Sequence, residues 1–174
     1  ELASIEVAYT GDHHLMVGFN HRFSSLTSIL VDKIGHGPMS MTYRINAGPI
    51  DSESWIQVPE IGGGRIIGEA CHFIDYMTYI NGSLPTHVFG AAITDAETKE
   101  DNVHITLQFE NGSVGTVIYI ANGSKQVPKE LIEVHRNGQT AVIDDFRKIT
   151  VHGTSGKPFQ KKLLVQDKGQ PGMV

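Results

Sequence analysis

Two Asn-Gly pairs, Asn111-Gly112 and Asn137-Gly138, each stand between runs that alternate apolar and polar residues. Asn and Gly tolerate the positive φ of a tight turn whose twist matches antiparallel strands, so each pair predicts a hairpin. Val103–Phe109 and Ser113–Ile120 flank the first; Leu131–Arg136 and Thr140–Phe146 flank the second. Val88–Ile93, Lys148–Val151 and Lys161–Val165 add further strands. The second half of the chain is therefore read as antiparallel hairpins.

The first half has a different period. Residues 1–10 read as the last turns of a helix, stopped at Gly11, and His14–Phe19 as a short strand. Phe23, Leu26, Ile29, Leu30 and Ile34 return to helical spacing, and Met39–Ile45 alternates as a strand. A polar loop follows from Asn46 to about Gly64; loops of that length are usually functional. Ile66, Ala70, Phe73, Ile74, Met77 and Ile80 then form an apolar stripe, which predicts a helix over 65–80 that ends at Asn81-Gly82. Helices early and strands late indicate an α+β fold with the helices packed on one face of a sheet.

The length of 174 residues fits one domain. A net charge of −5 with scattered basic residues argues against a nucleic-acid partner, which needs clustered Lys and Arg. The single cysteine, Cys71, leaves no disulfide within the chain and no thiolate-based zinc site, and it favours a reducing compartment. No metal site and no membrane span are expected. Asn-Gly-Ser triplets at Asn81, Asn111 and Asn122 match a glycosylation signal, but each falls where a turn is needed. Both ends look like cuts in a longer chain.

Chemistry concentrates on the helix 65–80. Glu69 and His72 are three apart, as are His72 and Asp75, so each carboxylate neighbours the imidazole. A carboxylate beside an imidazole orients it and raises its pKa, which suits a general acid–base; the same spacing also describes a surface salt bridge. Gly62-Gly63-Gly64 before the helix reads either as a backbone approach to an anion or substrate, or as a flexible lead-in. It is not the dinucleotide fingerprint, because no strand precedes it. Arg44, Asn46, Lys125 and Lys129 stand at strand ends and in loops, where they could bond a polyhydroxylated ligand or simply be surface.

Several segments, in order along nearly the whole chain, resemble one family. Leu15 to Phe23, Tyr43 to Gly48, Gly62 to Asp75, Ala121 to Glu130 and Asp144 to Arg147 are similar to the Gfo/Idh/MocA oxidoreductases, and especially to members associated with surface-sugar biosynthesis. The resemblance implies an open, mostly antiparallel sheet carrying helices on one face. Residues 1–13 would be the remnant of an N-terminal Rossmann domain, and 14–174 the substrate-binding and oligomerisation domain. It implies NAD or NADP as cofactor in the full-length protein, with none bound by this piece alone. The implied partners are a sugar-like small molecule, the missing Rossmann domain and a second copy across the sheet face, in the cytoplasm.

By the same resemblance His72 is the catalytic histidine. The family often has an Asp one turn earlier; Gly68 stands there, so either Glu69 beside it substitutes, as the second catalytic candidate, or the family's lysine, absent from this chain, does more of the work. Arg22, Arg44, Asn46, Arg65, Asp75 and Lys125 are expected to bind substrate, and Asn20 to face the cofactor. Three functions fit: the substrate half of an oxidoreductase on a sugar, nucleotide-sugar or cyclitol hydroxyl; a half of an NAD-assisted glycosidase; or a non-catalytic oligomerisation or binding module.

Overall fold

The structure is a computed structural model that describes residues 2–51, 53–58, 60–93 and 101–173. Eight strands form one open sheet: β1 (Ser40–Asn46), β2 (Pro85–Ala92), β3 (Val103–Phe109), β4 (Val114–Ile120), β5 (Glu130–Arg136), β6 (Gln139–Asp144), β7 (Lys148–His152) and β8 (Phe159–Lys162). Their order across the sheet is β2-β3-β4-β1-β5-β6-β7-β8. The β1–β4 pairing is parallel, with Tyr43 opposite Val117, and the other pairings are antiparallel. The expected α+β class, with an open and mostly antiparallel sheet, is what forms.

Helix α1 (Leu2–Ala8) lies at the start, α2 is Ser25–Ile34, and α3 is Arg65–Asn81. Helix α3 lies over β4, and α2 over β6 and β7, so both cover one face. The period-2 pattern of the strands sends one set of side chains beneath these helices. Tyr43, Ile45, Val117, Tyr119, Ile132, Val134, Ile143 and Ile149 meet Leu26, Leu30, Phe73, Tyr76, Met77 and Ile80 there, all at most 3% exposed. The opposite face, with Thr42, Thr106, Thr116, Ile118, Leu131 and Val142, has no helix over it and is half-buried.

Both Asn-Gly pairs join the strands expected of them. Asn137 and Gly138 take φ of 50° and 74°, the two-residue turn read from sequence. At Asn111-Gly112 the glycine alone takes positive φ, 84°. His14–Phe19 is not a strand: residues 3–18 are exposed, and among the described residues no strand pairs with them to complete a ladder. Helix α3 ends as predicted, with Gly82 in the left-handed region and its N–H on the Thr78 carbonyl at 3.1 Å.

Candidate functional site

Helix α3 is steered into place by the glycines before it. A Cβ on Gly62 would fall 2.4 Å from the Ile56 Cα, and the Gly64 N–H donates to the Ile56 carbonyl at 2.9 Å. The glycines thus fold the loop's end back on the short 3-10 turn Trp55–Gln57. They follow turns rather than a strand, so they form no dinucleotide cradle.

From this start α3 presents Glu69 and His72 to a cavity of about 250 Å³. Asn20, His21, Phe73, Lys129, Glu130, Lys168 and Gln170 complete its lining. Asn20 and His21 belong to a 3-10 turn (Asn20–Phe23) that leads into α2, whose first turn is capped by Ser24. Lys129 and Glu130 stand where a loop enters β5, at the end of the sheet beside α3.

Lys168 and Gln170 arrive on a C-terminal strap. The Asn20 Nδ2 donates to the Lys168 carbonyl at 2.8 Å, and the Asp167 carboxylate accepts from the Ser25 N–H at 2.9 Å. Gly169 (φ 89°) lies so close that a Cβ would sit 2.0 Å from the Asn20 carbonyl oxygen. The strap is therefore latched onto the turn that carries Asn20 and His21.

His72 is half-buried, with the edge of Phe19 against it at 5.6 Å between ring centres. Its ring nitrogens have no hydrogen-bond partner among the described residues. Neither neighbouring carboxylate orients it, which corrects the helix-spacing argument. Glu69 lies 3.3 Å from Arg65 and 3.9 Å from Lys129. Asp75 receives both the Nε and Nη2 of Arg22. Guanidinium groups offer paired donors to a carboxylate and outcompete an imidazole at the same spacing.

Below the cavity mouth lies a polar cluster. Glu130 is 2% exposed; Tyr43 donates to its Oε2 and Lys168 to its Oε1. Its burial alone would raise the carboxyl, but His21, Lys168 and the hydrogen bond from Tyr43 outweigh this and hold it below the usual range. His21 is 8% exposed, 3.9 Å from Glu130 and stacked on Phe146 at 4.8 Å. Burial pushes its imidazole down to about 4, against the opposing pull of Glu130. Burial and the Glu130 charge push the Tyr43 phenol well above its usual range.

Of the expected residues, the structure brings His72, Glu69 and Asn20 into this cavity. Asn46 and Lys125 line a second one of about 530 Å³ that shares Lys129 with the first. Asn46 also holds the loop 121–129, donating to the Ser124 carbonyl at 2.7 Å, as Arg44 does to the Pro128 carbonyl at 2.7 Å. Arg65 is 4% exposed and donates to the Gly48 carbonyl at 2.6 Å, away from the opening. Arg22 and Asp75 are bound to each other, and Arg22 lines a separate cavity with His36 and Tyr79. His21, Glu130, Lys168 and Gln170 are not among the expected site residues. His21 and Glu130 lie within the segments that resemble the family; Lys168 and Gln170 carry no such signal. Among the described residues, no group of three or more His, Cys, Asp or Glu is placed to hold a metal ion, and no helix is long and apolar enough to cross a membrane.

An open sheet with one helix-covered face and a histidine-lined cavity at its end defines a two-layer α+β domain. The family described as "Oxidoreductase family, C-terminal alpha/beta domain" matches residues 32–171, and the chain belongs to that domain of the Gfo/Idh/MocA family. Solved structures of the same fold include UDP-N-acetylglucosamine 3-dehydrogenase GnnA from Acidithiobacillus ferrooxidans, at 15% identity and a TM-score of 0.75, covering 95% of this chain and 52% of that one. Levoglucosan dehydrogenase in complex with NADH and levoglucosan is 22% identical, with a TM-score of 0.68 over 88% of this chain and 48% of that one. A super-repressor mutant of Gal80p from Saccharomyces cerevisiae is 14% identical, with a TM-score of 0.77 over 99% and 52%. The chain spans about half the length of these structures. No curated protein matches it by sequence.

Proposed function

We propose that the chain is the substrate-binding half of an NAD- or NADP-dependent oxidoreductase that acts on a hydroxyl of a sugar, nucleotide sugar or cyclitol. The observation that carries this is His72: an imidazole with no hydrogen-bond partner among the described residues, facing a small polar cavity in a domain of this family. A neutral imidazole there takes the proton of a substrate hydroxyl as the carbon loses hydride, and returns it in the reverse direction. Glu69, held by Arg65 and Lys129, offers an acceptor to a neighbouring hydroxyl. Asn20, Lys129 and Lys168 supply further polar contacts of the kind that fix a polyhydroxylated ring.

The nicotinamide supplies or accepts the hydride when bound. The residues present fit the substrate side of that group: Asn20 and His72 stand at the opening, and the exposed residues 14–18 lead to it. They do not fit its diphosphate, for which the described residues form no strand–glycine-loop–helix unit; a Rossmann half outside this chain would hold it. The relatives bound to NADH and levoglucosan, or named for a UDP-sugar, support this reading. Surface-polysaccharide metabolism in the cytoplasm is the proposed setting. The helix-free sheet face, where Ile118, Leu131 and Val142 lie among threonines, is the proposed homodimer surface.

The Gal80p likeness favours a second reading, a binding or oligomerisation module that shares the scaffold without turnover. The intact protein separates the two. Cofactor-dependent oxidation of a sugar panel, lost in His72→Ala, supports the oxidoreductase; a function unaffected by His72→Ala supports the module. The isolated chain should show no measurable NAD(H) binding by calorimetry.

A further inference from the structure

Two imidazoles line the cavity, and the proposed proton transfer needs only His72. His21 lines the same cavity, with ring centres 6.2 Å from His72. Its Nδ1 lies 3.3 Å from the Tyr43 hydroxyl oxygen. A phenol has one proton, and Tyr43 gives that proton to Glu130. The Tyr43 oxygen can then only accept from Nδ1, so the hydrogen on His21 sits on Nδ1. The other nitrogen, Nε2, carries a lone pair.

Glu130 does not need a proton from His21. Its Oε1 takes the Lys168 ammonium and its Oε2 the Tyr43 hydroxyl. The Nε2–Oε2 separation of 3.9 Å is beyond hydrogen-bond length. Phe146 stacks on the ring and Nδ1 is engaged, while Nε2 has no hydrogen-bond partner among the described residues and is not one of the fully buried polar atoms, which leaves it to the cavity that His21 lines. The charged and titratable groups around the ring are Glu130, Lys168, His72, Lys129, Tyr43 and Tyr76. Lys168 is the cation placed to neutralise the buried carboxylate, and it is delivered by the latched strap.

We infer that His21 is a second functional imidazole of this site, fixed as the neutral Nδ1–H tautomer by the Tyr43–Glu130–Lys168 chain, and that its Nε2 accepts a hydrogen bond from a substrate hydroxyl next to the one that meets His72. This rests on the proposed sugar site, and it assigns Lys168 the role of a positioning residue. The hydroxyl donor is any polyol that fits the cavity.

Long-range proton–nitrogen NMR of the histidine side chains tests this without turnover. At neutral pH the His21 Nε2 should resonate as an unprotonated, pyridine-type nitrogen and its Nδ1 as a protonated one. Near-molar glucose should move the Nε2 resonance toward the hydrogen-bonded range. Lys168→Met should let His21 take up a proton at clearly higher pH than in the wild type, because Glu130 then lacks its cation; Lys168→Arg should restore the wild-type behaviour. A His21 found protonated at neutral pH, or protonated on Nε2, or with an Nε2 unmoved by glucose, would overturn the inference. The proposed oxidoreductase role fails on a different result, unchanged turnover in His72→Ala.

Discussion

The rings of His21 and His72 lie 6.2 Å apart, and the fold treats them in opposite ways. His72 lines the cavity from the polar edge of α3, its nitrogens without a hydrogen-bond partner among the described residues. His21 is 8% exposed, stacked on Phe146 and joined to Tyr43, on a turn pinned under the C-terminal strap. Two imidazoles in one cavity with separate environments are able to divide labour, one moving a proton and the other holding a fixed polarity.

The buried imidazole makes stability depend on pH. His21 in the unfolded chain protonates near 6.5, and in the fold near 4. Between those values the unfolded state holds the extra proton, so stability falls as pH drops from about 6.5 toward 4 and is insensitive to this group above 6.5. The loss should reach roughly 3 kcal/mol. Glu130, depressed below its ordinary value of 4.5, acts in the same direction at lower pH: its contribution is present above 4.5 and lost as pH falls through the depressed value. Urea unfolding at a series of pH values should show this slope, and His21→Leu should flatten the part between 6.5 and 4.

The strap should be breakable at one atom. Gly169→Ala places a methyl 2.0 Å from the Asn20 carbonyl oxygen and 2.7 Å from the Ser24 nitrogen, at a φ of 89°. Neither backbone atom belongs to a flexible side chain, so the strap must move. The variant should lose about 3 kcal/mol and release Lys168 from Glu130. Hydrogen exchange should show early exposure at the Asn20–Ser25 amides; protection equal to wild type would contradict the latch.

Arg22 and Asp75 should matter for stability before chemistry. Their two hydrogen bonds tie the turn bearing His21 to α3, and the guanidinium lies 5.4 Å from the centre of the Tyr79 ring. Asp75→Asn should lower stability by about 1–2 kcal/mol, discounted because Arg22 is 37% exposed. Substrate affinity in the intact protein should be little changed once the variant is folded. A large rise in KM at unchanged stability would restore both residues to the binding site.

Most of the sheet was legible because hairpins declare themselves locally. Asn137-Gly138 and the alternation around it are contained in fourteen residues or so, about the span of one hairpin. The Asp145-Phe146 turn was not legible: Thr140–Phe146 reads as one strand, yet both residues take positive φ, 48° and 50°, and end β6 at Asp144. Asp145 is a common turn residue but Phe146 is not, and Phe146 is fully buried against His21. Tertiary packing overrode local preference there. The site divides the same way. His72 and Glu69 share one helix, so spacing found them. Glu130 and Lys168 meet His21 across 109 and 147 positions of sequence, and no periodicity connects them. Arg22 pairs with Asp75 across 53 positions, which no periodicity connects, whereas the Arg65–Glu69 pair is an i,i+4 spacing on one helix.

The central claim is that His72 exchanges a proton with a substrate hydroxyl. Turnover by the intact protein, measured as cofactor reduction with a reactive sugar, tests it most directly in wild type beside His72→Gln, which keeps polarity but cannot act as the base. The expected result is a fall in kcat of about a hundredfold or more. A His72→Gln protein with wild-type kcat would contradict it.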